Sequence, residues 1–308
     1  MARLVFLGSP PAAVPPLQAL AGAGHDIALV VTQPDRRRAR GGEVLPTPVK
    51  AAALELGLTV TDRVDDAVEA GAELGVVVAF GRLIRPHVLA RLALVNLHFS
   101  LLPRWRGAAP VERAILAGDA ETGVCLMALE EGLDTGPVYA CERVAIGKEE
   151  TAHELRDRLV GLGTRMLVER LADGPRGLGE PVPQQGEATY AAKLDHEELR
   201  LDWDRPAVEL HRVVRVGRSW TTWRGKRLLV LRARLAPVGS AAPAGSAAAA
   251  SAAGDAGEGP PGLLRGTRVL TGAGALELVE VQPEGRAPQP ADAWLRGARL
   301  QPDERLGS

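Results

Sequence analysis

The sequence predicts an α/β protein: a mostly parallel β-sheet with helices on both faces, followed by a second, smaller domain built from strands. Three observations carry this expectation. Apolar, β-rich runs alternate with helix-patterned stretches through the first half of the chain. One of those runs, Val76-Val77-Val78-Ala79-Phe80, is apolar at every position, as a central strand covered on both faces must be. Beyond a stretch rich in Pro, Gly and Gln, the texture changes to short strands separated by glycine-containing turns.

The elements follow in order. Strands are expected at Leu4–Leu7, Ile27–Thr32, Leu58–Thr61, Gly75–Phe80 and Leu94–Ser100, with helices at Ala12–Ala21, Thr47–Leu56, Asp65–Glu73 and Pro110–Leu116. Val124–Glu130 and Val138–Ile146 flank a Gly- and Asp-containing segment and can pair as a hairpin. A long helix is expected at Thr151–Leu171. Thr151 with Glu154 three residues on is a capping box, and Leu155, Leu159, Leu162, Met166 and Leu167 keep helical spacing. Asp173–Glu187 reads as a linker, which puts the domains at 1–187 and 188–308. In the second domain, strands are expected at Arg227–Leu231, Leu263–Leu270 and Ala275–Gln282. Between the first two of these, 24 of the 27 residues at 236–262 are Ala, Gly, Ser or Pro, too few apolar groups to offset the entropy of ordering, so a flexible loop is expected.

Composition narrows the function. The 308 residues suit about two domains. Lys and Arg number 37 against 38 Asp and Glu, so the net charge is −1 and any nucleic-acid surface must be local. The chain lacks an apolar run of about 18 residues, which argues against a membrane span. Leu4–Leu7 is too short for a signal-peptide core, and Pro10 and Pro11 follow at once. Cys125 and Cys141 fit packing residues of a reducing, cytoplasmic protein. No coiled-coil pattern suggests self-association, and a monomer is expected.

The common cofactor motifs do not occur. Gly8-Ser9-Pro10-Pro11 follows the first strand where a dinucleotide-binding chain has GxGxxG, and there is no Walker loop, CxxC pair, HExxH or GxSxG elbow. His153-Glu154 and His196-Glu197 have no second ligand at helical spacing, so no metal is expected.

The chemistry concentrates between Asn96 and Asp134. Asn96, His98 and Ser100 alternate with Leu97 and Phe99 along a strand, so the three polar side chains share one face. Such a face is costly to bury unless a cleft receives it, and in parallel sheets that cleft lies beyond the carboxyl ends of the strands. An Asn amide can donate to a developing oxyanion, and an imidazole exchanges protons near neutral pH. Leu133-Asp134-Thr135-Gly136 follows the next strand in a Gly-bounded loop, and its carboxylate can orient an imidazole. Each motif alone also has an ordinary reading: a satisfied core histidine, and a turn opening on Asp.

Longer runs carry a resemblance. Ser100-Leu101-Leu102-Pro103-Arg104-Trp105-Arg106-Gly107-Ala108-Ala109-Pro110, the segment Gly118–Val124, Thr32-Gln33-Pro34-Asp35-Arg36, Pro46-Thr47-Pro48-Val49-Lys50, Leu133-Asp134-Thr135-Gly136-Pro137, Tyr190-Ala191-Ala192-Lys193 and Leu201-Asp202-Trp203 closely resemble the methionyl-tRNA formyltransferases, a folate-dependent family. The resemblance spans nearly the whole chain. It implies a Rossmann-like formyltransferase domain and an OB-like β-barrel, with 10-formyltetrahydrofolate as formyl donor and the α-amine of methionyl initiator tRNA as acceptor. By position, Asn96, His98 and Asp134 match the family's catalytic trio. Ser100, Leu101, Leu102 and Pro103 match its folate-contacting run, and Phe80, Gly81, Leu83 and Ile84 its pterin pocket. No metal is implied, because the formyl group is already an activated acyl group.

Two basic segments bear on the tRNA. Leu210–Leu235 holds Arg212, Arg215, Arg218, Arg224, Lys226, Arg227, Arg232 and Arg234 and no acid, with Trp220 and Trp223 interleaved. The resemblance implies that the loop carrying Arg36, Arg37, Arg38 and Arg40 inserts at the acceptor arm. Phe99 stands where the family has a small residue, Arg218–Trp223 lacks its proline-aromatic run, and the 236–262 insertion is long. Other readings share the trio without needing either basic segment: formyl transfer to a nucleotide-sugar or ribonucleotide amine, and hydrolysis of formyl-folate. A silent RNA-binding protein would leave Asn96, His98 and Asp134 without a purpose.

Overall fold

The computed structural model describes residues 1–37, 44–237 and 259–307. Its contacts divide the chain into two compact units: Met1–Ala114, Asp119–Gly147 and His153–Lys193 form the first, and Ile115–Gly118, Lys148–Ala152 and Leu194–Ser308 the second.

In the first unit the strands are β1 (Arg3–Gly8), β2 (Asp26–Val31), the two-residue pair β3 (Arg36–Arg37) and β4 (Val44–Leu45), β5 (Val60–Thr61), β6 (Leu74–Val78), β7 (Leu94–His98), β8 (Arg106–Gly107), β9 (Glu121–Ala128), β10 (Val138–Ala145) and β11 (Tyr190–Ala191). The helices are α1 (Val14–Gly22), α2 (Pro48–Glu55), α3 (Pro86–Leu89), α4 (Pro110–Ala117), whose residues 115–117 belong to the second unit, and α5 (Ala152–Arg170), whose first residue does too. Seven strands form one sheet in the order β10-β9-β7-β6-β1-β2-β5, parallel except for β9 and β10. The chain runs outward from β1 through β2 to β5, then returns to build β6 and β7 on the other side of β1. That reversal makes a switch point, where open α/β sheets place their ligands. Apolar strand positions explain the burial: all five residues of β6 are buried, and Val5, Leu7, Val31, Val77, Phe80 and Val88 join one core cluster.

Local chemistry sets several ends. Thr47 accepts from the Lys50 N–H at 3.1 Å, and Pro48 occupies the first position of α2. The helix expected at Asp65–Glu73 is only a 3-10 turn, Val64–Val68. Thr61 Oγ1 donates to Asp66 at 2.7 Å, and Gly71 takes φ +65° soon after, so the segment is held as a turn.

Two further expectations are corrected. Cys125 and Cys141 are not free packing residues: they face each other across β9 and β10, with Cα atoms 4.1 Å apart, and form a disulfide. The hairpin register creates that pairing, and register is not written in a 16-residue spacing. The linker at 173–187 is also structured. It holds a 3-10 turn at Gly174–Leu178, and Val182 pairs with Val138.

The second unit is a six-stranded sheet: β12 (Trp220–Trp223), β13 (Lys226–Leu235), β14 (Leu264–Arg265), β15 (Arg268–Leu270), β16 (Ala275–Pro283) and β17 (Gln289–Pro290), with α6 (Ala207–Val216) and α7 (Ala291–Ala298). Its named strand pairs are all antiparallel. Leu210, Val213 and Val214 of α6 pack with Val230, Leu276, Leu278, Val281 and Trp294. The Ala-rich loop expected at 236–262 lies mostly outside the described residues, which omit 238–258. No described helix is long and apolar enough to cross a membrane.

Candidate active site

The site forms at the carboxyl ends of β6 and β7. Asn96 and His98 lie on one face of β7, and the strand is held by β6 on one side and β9 on the other, with Asn96 opposite Val77 and Met127 and His98 opposite Cys125. Asn96 is half-buried, and its side chain has no hydrogen-bond partner among the described residues. His98 is 5% exposed.

The chain after β7 turns back over that histidine. Ser100 is fully buried, and its hydroxyl donates to the Arg104 carbonyl at 2.5 Å, which closes the loop. Leu101, Leu102 and Pro103 are half-buried on the loop's outside, available to a ligand in a way that Ser100 Oγ is not. Arg104 makes two bonds to Asp119, at 2.8 and 2.6 Å, and Trp105 Nε1 donates to the same carboxylate at 2.8 Å. The bond to Asp119 raises the Arg104 pKa above its ordinary value. Trp105 takes φ +62°, and its carbonyl lies 2.8 Å from His98 Nε2.

That contact fixes the histidine tautomer. A carbonyl only accepts, so Nε2 carries a hydrogen. Nδ1 faces Asp134 Oδ2 at 3.5 Å, and the Asp134 side chain is 12% exposed. The same Oδ2 accepts the Gly107 N–H at 2.7 Å. Asp134 sits at φ +51°, and Gly136 lies against β9 where an added Cβ would come within 2.0 Å of the Ala128 carbonyl. Of the six described non-glycine residues at positive φ, three (Ala79, Trp105 and Asp134) are at these strand ends and loops, a clustering that marks a candidate site.

The other expected site residues are placed as follows. Phe80 and Ile84 are buried in the core cluster under the loop after β6, Gly81 takes φ +71°, and Leu83 is 82% exposed. Gln33 Nε2 donates to the Phe80 carbonyl at 2.9 Å and holds that loop. Arg36 and Arg37 lie on β3, whereas Arg38 and Arg40 lie outside the described residues. Arg212 and Arg215 lie on α6, and Lys226 and Arg227 on β13. The basic stripe is therefore split between two elements, and part of it is used by the fold itself. Arg215 Nε donates to the Glu150 carbonyl at 2.8 Å, and burial lowers its basicity. Arg227 lies 4.7 Å from the Trp220 ring centroid. Lys226 is exposed. Among the described residues, no group of three or more His, Cys, Asp or Glu is placed to hold a metal.

Sequence reasoning missed the Trp105 carbonyl and the Gly107 N–H. Backbone groups carry no residue signature, and only the returning loop brings them to His98 and Asp134.

The family model for formyl transferase matches residues 2–171, and that for the formyl transferase C-terminal domain matches residues 193–299. A methionyl-tRNA formyltransferase of Dinoroseobacter shibae is 46% identical over 312 residues, covering 97% of this chain and 98% of the relative. One from Ruegeria pomeroyi is 44% identical over 311 residues, covering 96% and 97%. Among solved structures, HypX from Aquifex aeolicus in complex with tetrahydrofolic acid superposes with a TM-score of 0.62 at 18% identity, covering 96% of this chain and 47% of that one.

Proposed function

The chain belongs to the methionyl-tRNA formyltransferase family, and from that premise we infer which of its residues perform the transfer. The enzyme moves a formyl group from 10-formyltetrahydrofolate to the α-amine of methionine esterified to tRNA. The observation that carries the residue assignment is the arrangement of His98, with Nε2 pinned to the Trp105 carbonyl and Nδ1 turned to Asp134.

The residues present suit the folate donor. Asn96 offers an amide without a protein partner. Leu83 on the loop after β6, 82% exposed, and Leu133 next to Asp134, 61% exposed, offer apolar surface that a flat ring system would cover. Phe80, Gly81, Leu83 and Ile84 are assigned to the pterin side, and Leu101, Leu102 and Pro103 to the folate contact. Ser100 shapes the loop through its bond to Arg104.

Each residue then has one task. As the methionyl amine adds to the formyl carbon, negative charge grows on the formyl oxygen. Asn96 donates to that oxygen, and His98 presents the positive charge of its Nδ1–H. Asp134 holds the imidazole in place, and through a water it passes the proton released by the amine toward N10. The bond from the methionyl nitrogen to the formyl carbon forms, the bond from N10 to that carbon breaks, and one proton moves from amine to N10.

We assign tRNA contact to the Arg36, Arg37, Arg38 and Arg40 loop and to Arg212, Lys226 and Arg227 in the second unit, with initiator methionyl-tRNA as acceptor. Arg215 is instead bonded to the Glu150 carbonyl in the segment preceding α5. The protein acts as a monomer in the cytoplasm, where translation uses the product.

Single-turnover transfer by Asn96→Ala and His98→Ala tests the assignment. Each should fall about 10²–10³-fold, the usual cost of losing an oxyanion donor, with folding retained. Transfer within threefold of wild type by either variant removes that residue from the mechanism.

A further inference from the structure

The segment joining α5 to the second unit is rich in Pro, Gly and Gln, yet it is bonded along its length to the loops that carry the site. Val182 and Val138 exchange two backbone bonds, both 2.8 Å. Thr189 Oγ1 accepts the Trp105 N–H at 2.9 Å, and the Thr189 carbonyl accepts the Arg106 N–H at 2.8 Å. The Ala191 carbonyl accepts from Ala108 and Ala109 at 2.9 and 3.1 Å. Gln184 is half-buried between exposed neighbours, and all four of its hydrogen-bonding positions are occupied. Its Nε2 donates to the carbonyls of Asp134 and Gly136, both at 2.8 Å. Its Oε1 accepts from Arg106 Nε and a terminal nitrogen, at 3.1 and 2.7 Å.

We propose that Gln184 is a positioning residue for formyl transfer, clamping the Asp134 loop so that its carboxylate stays opposed to His98. The bonds form a ring. Asp134 Oδ2 holds the Gly107 N–H, Arg106 is covalently next to Gly107, Arg106 holds Gln184, and Gln184 returns to the Asp134 carbonyl. The ring has mechanical work to do. Asp134 holds φ +51°, a left-handed conformation that Asp tolerates better than most side chains but that still competes with ordinary backbone geometry. Leu133 and Thr135 on either side are exposed and contribute little packing. Released from the clamp, the loop can relax, and a displacement of about 1 Å in a catalytic group costs on the order of 10²-fold in rate. The inference rests on the assignment of Asp134 made above.

The experiment compares Gln184→Met, Gln184→Glu and Asp134→Asn with wild type in formyl transfer to methionyl-tRNA, with Gln185→Ala as an exposed neighbour. Gln184→Glu keeps both acceptors for Arg106 and loses both donors. Both Gln184 variants should lose about 10²-fold in kcat, with KM for folate and for tRNA within twofold. Relative to wild type, Gln184→Glu should recover as pH falls and its carboxyl gains a donor, whereas Gln184→Met should not. A role in general stability would lower the melting temperature without separating kcat from KM. Should Gln184→Met fail to fold, Gln184→Glu, which retains the Arg106 pairing, decides the matter. A kcat for Gln184→Glu within threefold of wild type while Asp134→Asn is impaired overturns the clamp alone. Wild-type turnover by Asp134→Asn overturns the catalytic assignment and the clamp with it.

Discussion

Replacing Asp134 by Asn removes one charge and almost no volume. His98 Nδ1 lies 3.5 Å from Asp134 Oδ2, and the two side chains are 6% and 12% exposed. At that separation and an effective dielectric of about 20, the attraction between imidazolium and carboxylate is about 5 kcal/mol. Rearrangement and the lower desolvation cost of a neutral amide offset part of it, which leaves a loss of about 3–4 kcal/mol of transition-state stabilisation. At about 1.36 kcal/mol per decade this is a fall of about 10²–10³-fold in transfer rate. The Asn oxygen can still accept the Gly107 N–H, seen at 2.7 Å with the carboxylate, so the melting temperature should move by only a few degrees. The assay is rapid-quench single-turnover formylation at saturating folate and methionyl-tRNA. A rate within threefold of wild type would refute the reasoning, because a carboxylate that orients His98 and faces its charge in the transition state cannot be dispensable.

Three other outcomes are expected. Gly136→Ala should lose both stability and transfer, since the new Cβ would meet the Ala128 carbonyl at 2.0 Å and push the Asp134 loop off β9; thermal melting with single-turnover kinetics checks this. Changing Arg36, Arg37, Arg38 and Arg40 together to Glu should weaken tRNA affinity and flatten its salt dependence, with folate affinity unchanged, as read by filter binding and fluorescence titration. Burial lowers the pKa of His211, which is 3% exposed and 3.2 Å from Glu149, so the unfolded chain binds the proton more readily. Stability is then fully present above the ordinary histidine pKa and declines as pH falls below it. Urea melts between pH 7 and pH 5 should show that decline, and His211→Gln should reduce it.

What could be read from the residues and what could not divides along physical lines. Asn96 and His98 were legible because strand alternation puts them on one face, and Asp134 because a Gly-bounded Asp loop follows a strand. The parallel sheet was legible in the unbroken apolar run of β6. The partners of His98 and Asp134 were not legible. The Trp105 carbonyl and the Gly107 N–H are backbone groups brought in by loop path, and Gln184 lies in a segment whose composition reads as a linker. The Cys125–Cys141 bond depends on hairpin register. Helix α6 was not legible because its apolar face is only Leu210, Val213 and Val214 in helical spacing, within a run dominated by arginines. Arg215 shows the same limit from the other side: charge is visible in a sequence, but its burial beside Glu150 is not.

The most direct measurement offers purified protein 10-formyltetrahydrofolate together with methionyl initiator tRNA and, in parallel, uncharged tRNA, free methionine and an amino-sugar nucleotide. Formyl transfer to the charged tRNA alone is the predicted result. Equal or faster transfer to the amino-sugar nucleotide, or release of formate without transfer to any acceptor, would contradict the account.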